Sequence, residues 1–176
     1  MKTLYLLRHA QSSWDSPQER DFDRPLNTQG LEDTPEMVSK LRTLLQRQGV
    51  PLTAILSSPA LRTRTTAEIF ARAFGVQPAQ ITYDPQIYLA SSGRLLQLVR
   101  RIDDNAPVAL LVAHNPALTD FANEMSNSSI GDIPTCGMVT LQLAAEHWSQ
   151  ADFGNARLMG VDFPHQDAVP ALNSKP

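Results

Sequence analysis

The stretch Pro107–Pro116, PVALLVAHNP, holds the most continuous apolar run in the chain. A short run without polar alternation suits a strand covered on both faces, as strands inside a parallel sheet are. Asn115 and Pro116 then read as a helix start, because an Asn side chain can accept from an early helical N–H and Pro needs no partner there. Leu118, Phe121, Ala122 and Met125 follow at helical spacing. The stretch therefore predicts a buried strand, a tight junction and a helix, with His114 in the junction.

Upstream, the same pattern recurs. Thr3–Leu7 predicts a first strand, followed directly by Arg8 and His9. Thr28 reads as the cap of a helix running to about Gln48, with Leu31, Met37, Val38, Leu41, Leu44 and Leu45 in its apolar stripe and Gly49 as its stop. Pro35 is late for a first-turn proline, which leaves a start nearer Asp33 open. Thr53–Leu56 predicts a second strand, with Ser58 as cap and Pro59 as first residue of a helix whose Ala67, Phe70, Ala71 and Phe74 share a face. A third strand is expected near Gln80–Tyr83. Ser91 or Ser92 caps a further helix carrying Leu95, Leu98, Val99 and Ile102. Downstream, Val139, Leu141 and Leu143 alternate with Met138, Thr140 and Gln142, as in a half-buried edge strand, and a last strand is expected near Leu158–Phe163. Strands alternating with helices predict an α/β fold, a three-layer α/β/α sandwich on a mostly parallel sheet.

The chain has 176 residues, of which 42% are apolar, enough for one domain with a sizeable core. Residues 1–165 read as that domain and 166–176 as a flexible tail; the polar loop Ser16–Arg24 also reads as frayed. The net charge of −3 gives no nucleic-acid footprint, so an anion site must be built locally. Leu4–Leu7 is too short for a secretory core or a membrane span of about 20 residues. The lone Cys136 suits a reducing compartment and reads as a small buried hydrophobe. A cytoplasmic protein with no membrane partner is the expectation.

The chemistry concentrates at strand ends. In an open parallel sheet, ligands bind outside the carboxyl ends of the strands. That rule alone places Arg8, His9, Arg62 and His114 along one edge of the sheet, beside helix N-termini that favour an anion. Two guanidiniums, each able to donate two parallel bonds to phosphate oxygens, and two imidazoles make a phosphate site. No glycine-rich phosphate loop and no carboxylate cluster for magnesium is present in the sequence, so no metal and no cofactor is expected. His147, His165, Arg64 and Arg72 read as surface residues, and Trp14 and Trp148 as packing residues.

Arg8-His9-Ala10 resembles the signature of the histidine phosphatase superfamily. The longer segments RHAQSSWD (Arg8–Asp15), DRPLNTQG (Asp23–Gly30), SSPALRTRTTAE (Ser57–Glu68) and AHNP (Ala113–Pro116) are similar to short phosphohistidine phosphatases of the SixA type. The resemblance runs from Lys2 to about Phe163 and implies a phosphoglycerate mutase-like fold. It implies His9 as the nucleophile that becomes phosphohistidine, Arg8 and Arg62 as phosphoryl ligands, and His114 as a donor to the transition state. Arg24, Ser12 and Ser13 become candidate substrate contacts, although Arg24 could instead pair with Asp21 or Asp23.

Neighbouring arginines are expected to lower the pKa of His9, and a backbone carbonyl to accept its second ring N–H. A protonated His114 would stabilise charge on the equatorial oxygens. Larger relatives carry a carboxylic general acid after the third strand; here that stretch is Asp84–Ala90, and only Asp84 or, elsewhere, Asp15 is a candidate. The leading expectation is a metal-independent phosphatase acting on phosphohistidine in a protein. The alternatives are a phosphomonoesterase for a small phosphorylated substrate, and a non-catalytic phosphate- or phosphoprotein-binding module.

Overall fold

The computed structural model describes residues 1–166, so all but the first residue of the expected 166–176 tail lies outside the described residues. Six strands, β1 (Lys2–Arg8), β2 (Ala54–Ser57), β3 (Thr82–Tyr83), β4 (Val108–Ala113), β5 (Met138–Leu143) and β6 (Ala156–Asp162), form one sheet in the order β3-β2-β4-β1-β5-β6. The β3–β2, β2–β4 and β4–β1 pairings are parallel, whereas β1–β5 and β5–β6 are antiparallel. The sheet is thus mostly parallel, as expected.

The layering follows from the period of two along each strand. Leu4 and Leu6 of β1, with Ala109, Leu111 and Ala113 of β4, pack on one face with α3 (Ser92–Val99) and α4 (Ala117–Ser126). Tyr5 and Leu7, with Val108, Leu110 and Val112, pack on the other face with α1 (Thr28–Gln48) and α2 (Leu61–Ala73). Every residue of β4 is buried, which is why its sequence shows no alternation.

Several boundaries move by a residue or two, and each shift has a local cause. Asn27, not Thr28, caps α1 through its side chain, which accepts from Gly30 N at 2.8 Å. Pro35 lies inside α1 rather than near its start. The Leu31 carbonyl, which Pro35 cannot serve, accepts instead from the Thr34 hydroxyl at 3.1 Å. Leu31 itself is exposed, so the buried stripe of α1 is Met37, Leu41 and Leu45. Helix α2 begins at Leu61 after Ala60, not at Pro59, which frees the Ser58 hydroxyl for other partners. Asn115 lies one residue before the α4 cap position, yet its Oδ1 accepts from Thr119 N and Thr119 Oγ1.

Strand β5 departs from its expected edge position. It lies between β1 and β6, and Met138 and Thr140 are buried along with Val139, Leu141 and Leu143. The alternation in sequence suggests solvent on one face; a helical layer on each face of the sheet removes that solvent.

Candidate active site

The parallel strands β1, β2 and β4 point the same way, so their carboxyl ends share one edge. Backbone bonds continue the ladder past the strand ends: His9 N donates to Ala113 O, and Ser58 N donates to Val112 O. His9 and His114 therefore emerge side by side, with ring centroids 5.4 Å apart. Arg62, on the first turn of α2, reaches the same place, and α2 is tied to the β1 end by Ala10 N donating to Thr66 Oγ1 at 3.1 Å. Together with Arg8, Arg24, Ser12 and Trp14, these residues line a cavity of about 320 Å³.

Burial sets the electrostatics. His9 is only 6% exposed, and its Nδ1 lies 2.8 Å from Ala10 O. A carbonyl oxygen can only accept, so Nδ1 carries the hydrogen and Nε2 keeps its lone pair. Burial is the largest influence on the ring and lowers its pKa to about 4; the Ala10 bond opposes this, and Arg62, Arg8 and Arg24 lower it further. Arginines do lower the pKa, as expected, but desolvation outweighs them.

His114 differs from the expectation of a protonated ring. Burial, followed by the charges of its neighbours, lowers its pKa to about 3. Arg62 Nη2 lies 3.3 Å from His114 Nδ1, and a guanidinium can only donate, so Nδ1 is unprotonated. The hydrogen is then on Nε2, 2.8 Å from Ser58 Oγ. Ser58, read from sequence as a helix cap, instead orients His114.

Asp21 organises the opposite wall. Its backbone carbonyl and Oδ2 accept from Arg62 Nη1 and Nη2 at 2.6 and 3.0 Å, and its Oδ1 accepts from Arg24 Nε at 3.0 Å. The Tyr88 hydroxyl also donates to Oδ2. Partial burial pushes this carboxyl up, but the bonds from Tyr88 and Arg24 and the charge of Arg62 outweigh it and hold the group well below the usual range. Asp21 lies in the segment Ser16–Arg24 that reads as frayed, yet residues Asp21–Asp23 form a 3-10 turn packed on the site. Composition hid this, because only the distant partners, Arg62 of α2 and Tyr88, show what the loop holds.

The structure brings Arg8, His9, Arg62, His114, Arg24 and Ser12 to one cavity. Arg24 is buried and engaged through Nε and Nη1, with Nη1 donating to Ser12 Oγ at 2.6 Å and to Ser13 O at 3.2 Å. Ser13 Oγ turns away and accepts from Asp15 N. Asp84 caps its own 3-10 turn by accepting from Gln86 N and lines a different cavity, while Asp15 is exposed outside the site cavity. Trp148 is buried in the core, as expected, but Trp14 is 76% exposed with the Arg24 guanidinium 3.6 Å from its ring centroid. Cys136 is buried, and burial pushes its thiol up to about 12. Among the described residues, no group of three or more His, Cys, Asp or Glu residues is arranged to hold a metal ion.

The sequence model of the histidine phosphatase superfamily (branch 1) matches residues 4–88, a span that includes His9, Arg24 and Arg62. The crystal structure of a protein from Agrobacterium tumefaciens, provisionally named phosphohistidine phosphatase SixA, is 31% identical and covers 93% of this chain and 98% of its own, with a TM-score of 0.73. The chain belongs to the histidine phosphatase superfamily. A protein histidine phosphatase SixA solved with tungstate shares the fold at a TM-score of 0.70 and 20% identity, over 92% of this chain and 97% of that one. An uncharacterised chloroplastic protein of Arabidopsis thaliana is 32% identical over 85% of this chain and 70% of its own length. Membership of the histidine phosphatase superfamily, together with the Agrobacterium neighbour, supports phosphatase activity, and both solved neighbours support a phosphoglycerate mutase-like fold. No helix among the described residues is long and apolar enough to cross a membrane.

Proposed function

We propose that this protein is a phosphohistidine phosphatase that transfers the phosphoryl group to His9 and then to water. The observation that carries the reading is the state of His9: buried, neutral, its Nδ1–H fixed on Ala10 O, and its Nε2 lone pair left for attack beside Arg8 and Arg62. Arg8 Nε and Arg62 Nε are buried and donate to no protein acceptor among the described residues, which suits ligation of phosphoryl oxygens. Arginine donors can neutralise a phosphoryl group without a metal ion. Neutral His114 brings no charge; with its Nε2–H held by Ser58 Oγ and its Nδ1 accepting from Arg62 Nη2, it would position Arg62 beside the phosphoryl group.

The leaving group favours phosphohistidine over an alkyl phosphate. The carboxylate in the site wall, Asp21, is held ionised by Arg24, Arg62 and Tyr88 and is a poor proton donor. An alkoxide leaves slowly without an acid, whose contribution is typically about 10²–10⁴ in rate. A phosphohistidine ring protonated on its free nitrogen departs as neutral imidazole, whose conjugate acid has a pKa of about 6.5. His9 Nε2 gains the P–N bond that the substrate loses; water then takes the phosphoryl group, releasing phosphate and neutral His9. The test compares kcat/KM for a phosphohistidine protein, a sugar phosphate and a nucleotide, with and without EDTA, in the wild type and His9→Ala. Phosphohistidine should lead, EDTA should change nothing, and His9→Ala should lose both turnover and acid-labile phosphoenzyme. A sugar phosphate in the lead, or wild-type-like turnover by His9→Ala, refutes the reading.

A further inference from the structure

Trp14 is the largest exposed aromatic side chain in contact with the site. It lines the same cavity as His9, yet is 76% exposed. Its position is not set by core packing. The Arg24 guanidinium lies 3.6 Å from the centre of the indole, and Arg24 is itself buried and held by Asp21, Ser12 and the Ser13 carbonyl. One face of the ring therefore rests on a fixed cation, and the exposure of the residue leaves its other face open. A cation on one face draws π-density from the ring and favours an electron-rich, uncharged or anionic partner on the other.

We propose that Trp14 is the leaving-group platform of the active site, on which the planar ring of the substrate histidine stacks while its phosphoryl group lies between Arg8 and Arg62. This rests on the phosphohistidine reading above and adds a specificity-determining residue to it. The stacking is strongest late in the transfer. As the substrate P–N bond breaks and its electron pair returns to the ring nitrogen, the departing ring changes from imidazolium to neutral imidazole and loses its repulsion from the Arg24-loaded indole. A phosphotyrosine would offer the same planar shape, but its phenol leaves with a pKa of about 10 and would need the missing acid. Imidazole is therefore the ring the site favours.

The experiment measures kcat/KM of wild type, Trp14→Ala and Trp14→Phe with phosphohistidine, phenyl phosphate and glycerol phosphate. In Trp14→Ala the selectivity for phosphohistidine over glycerol phosphate should fall about three- to tenfold, the size of one aromatic contact. Trp14→Phe should keep most of it. An equal loss on all three substrates would mean that Trp14 only supports Arg24, and an unchanged ratio would mean that it contacts no leaving group; either result overturns the inference. A loss confined to phenyl phosphate would assign the platform to phenols and overturn the choice of imidazole. If wild type hydrolyses phosphohistidine well and the ratio is unchanged, this inference fails alone. If wild type prefers glycerol phosphate, the proposed function fails with it.

Discussion

The smallest scale at which this molecule is specified is the imidazole of His9. Its neutrality comes first from burial, and Arg62, Arg8 and Arg24 add to it. A protonated His9 has no lone pair to attack phosphorus, so activity should fall as pH drops through about 4 rather than through the ordinary 6.5. The acid limb of kcat/KM, corrected for titration of the substrate, reads this directly. A limb at 6.5 would mean that the site is wetter than its burial implies. Asp21 works at the same scale, aligning Arg62 and Arg24 with one carboxylate. Asp21→Asn removes a charge-assisted contact worth about 1.5–3 kcal/mol when well shielded. The side chain is about half exposed, so screening places the effect at the low end, about a tenfold loss of kcat/KM with an unchanged circular dichroism spectrum.

At the scale of elements, the site depends on how closely α1 approaches the chain that follows β1. Gly30 sits against Gln11, and a Cβ there would lie 2.2 Å from the Gln11 carbonyl oxygen. That oxygen also accepts from Asn27 N, so it cannot move without loosening the start of α1. Gln11 directly follows Ala10, whose carbonyl aims His9. Gly30→Ala should therefore cost about 1–3 kcal/mol of stability, typical of overpacking, and lower kcat/KM as well. Denaturant midpoints and steady-state rates measured together check this. A stable, fully active Gly30→Ala protein would show that α1 and the His9 loop are not coupled.

For the whole molecule, the two neutral histidines make stability depend on pH. Unfolding exposes both rings, which then regain a pKa of about 6.5, while in the folded protein they stay unprotonated down to about 4 and about 3. Between those limits the unfolded state binds more protons, so folding stability is highest above about 6.5 and falls as pH drops towards 4. For His9 the full loss is about 3 kcal/mol, at roughly 1.4 kcal/mol per pH unit. Thermal midpoints from pH 7 to pH 4 should fall steeply in the wild type and less steeply in His9→Asn. Equal slopes in the two proteins would place the dependence elsewhere.

How much of this was legible in the sequence differs from residue to residue. PVALLVAHNP by itself determined a doubly covered strand ending at His114, and the repeat of that grammar at Arg8-His9 and at Ser57-Ser58-Pro59 determined which edge of a parallel sheet carries the chemistry. Those are local readings, because strand burial and chain direction are written in hydrophobic period and turn residues. The Asp21–Arg24 pair was within reach of the sequence, and the structure shows it. Tertiary structure alone decided that Ser58 faces His114 rather than capping a helix, that β5 is interior, that Trp14 lies open on Arg24, and that Asp21 also joins Arg62 and Tyr88. Ser58 with His114, β1 with β5, and Asp21 with Arg62 and Tyr88 join segments far apart in the chain, and no local pattern encodes such pairings; Trp14 and Arg24 share one loop, whose path is set by those distant contacts. The neutrality of His9 and His114 belongs to the same class. A pKa set mainly by desolvation depends on everything that packs around the ring, and that exists only once the chain has folded.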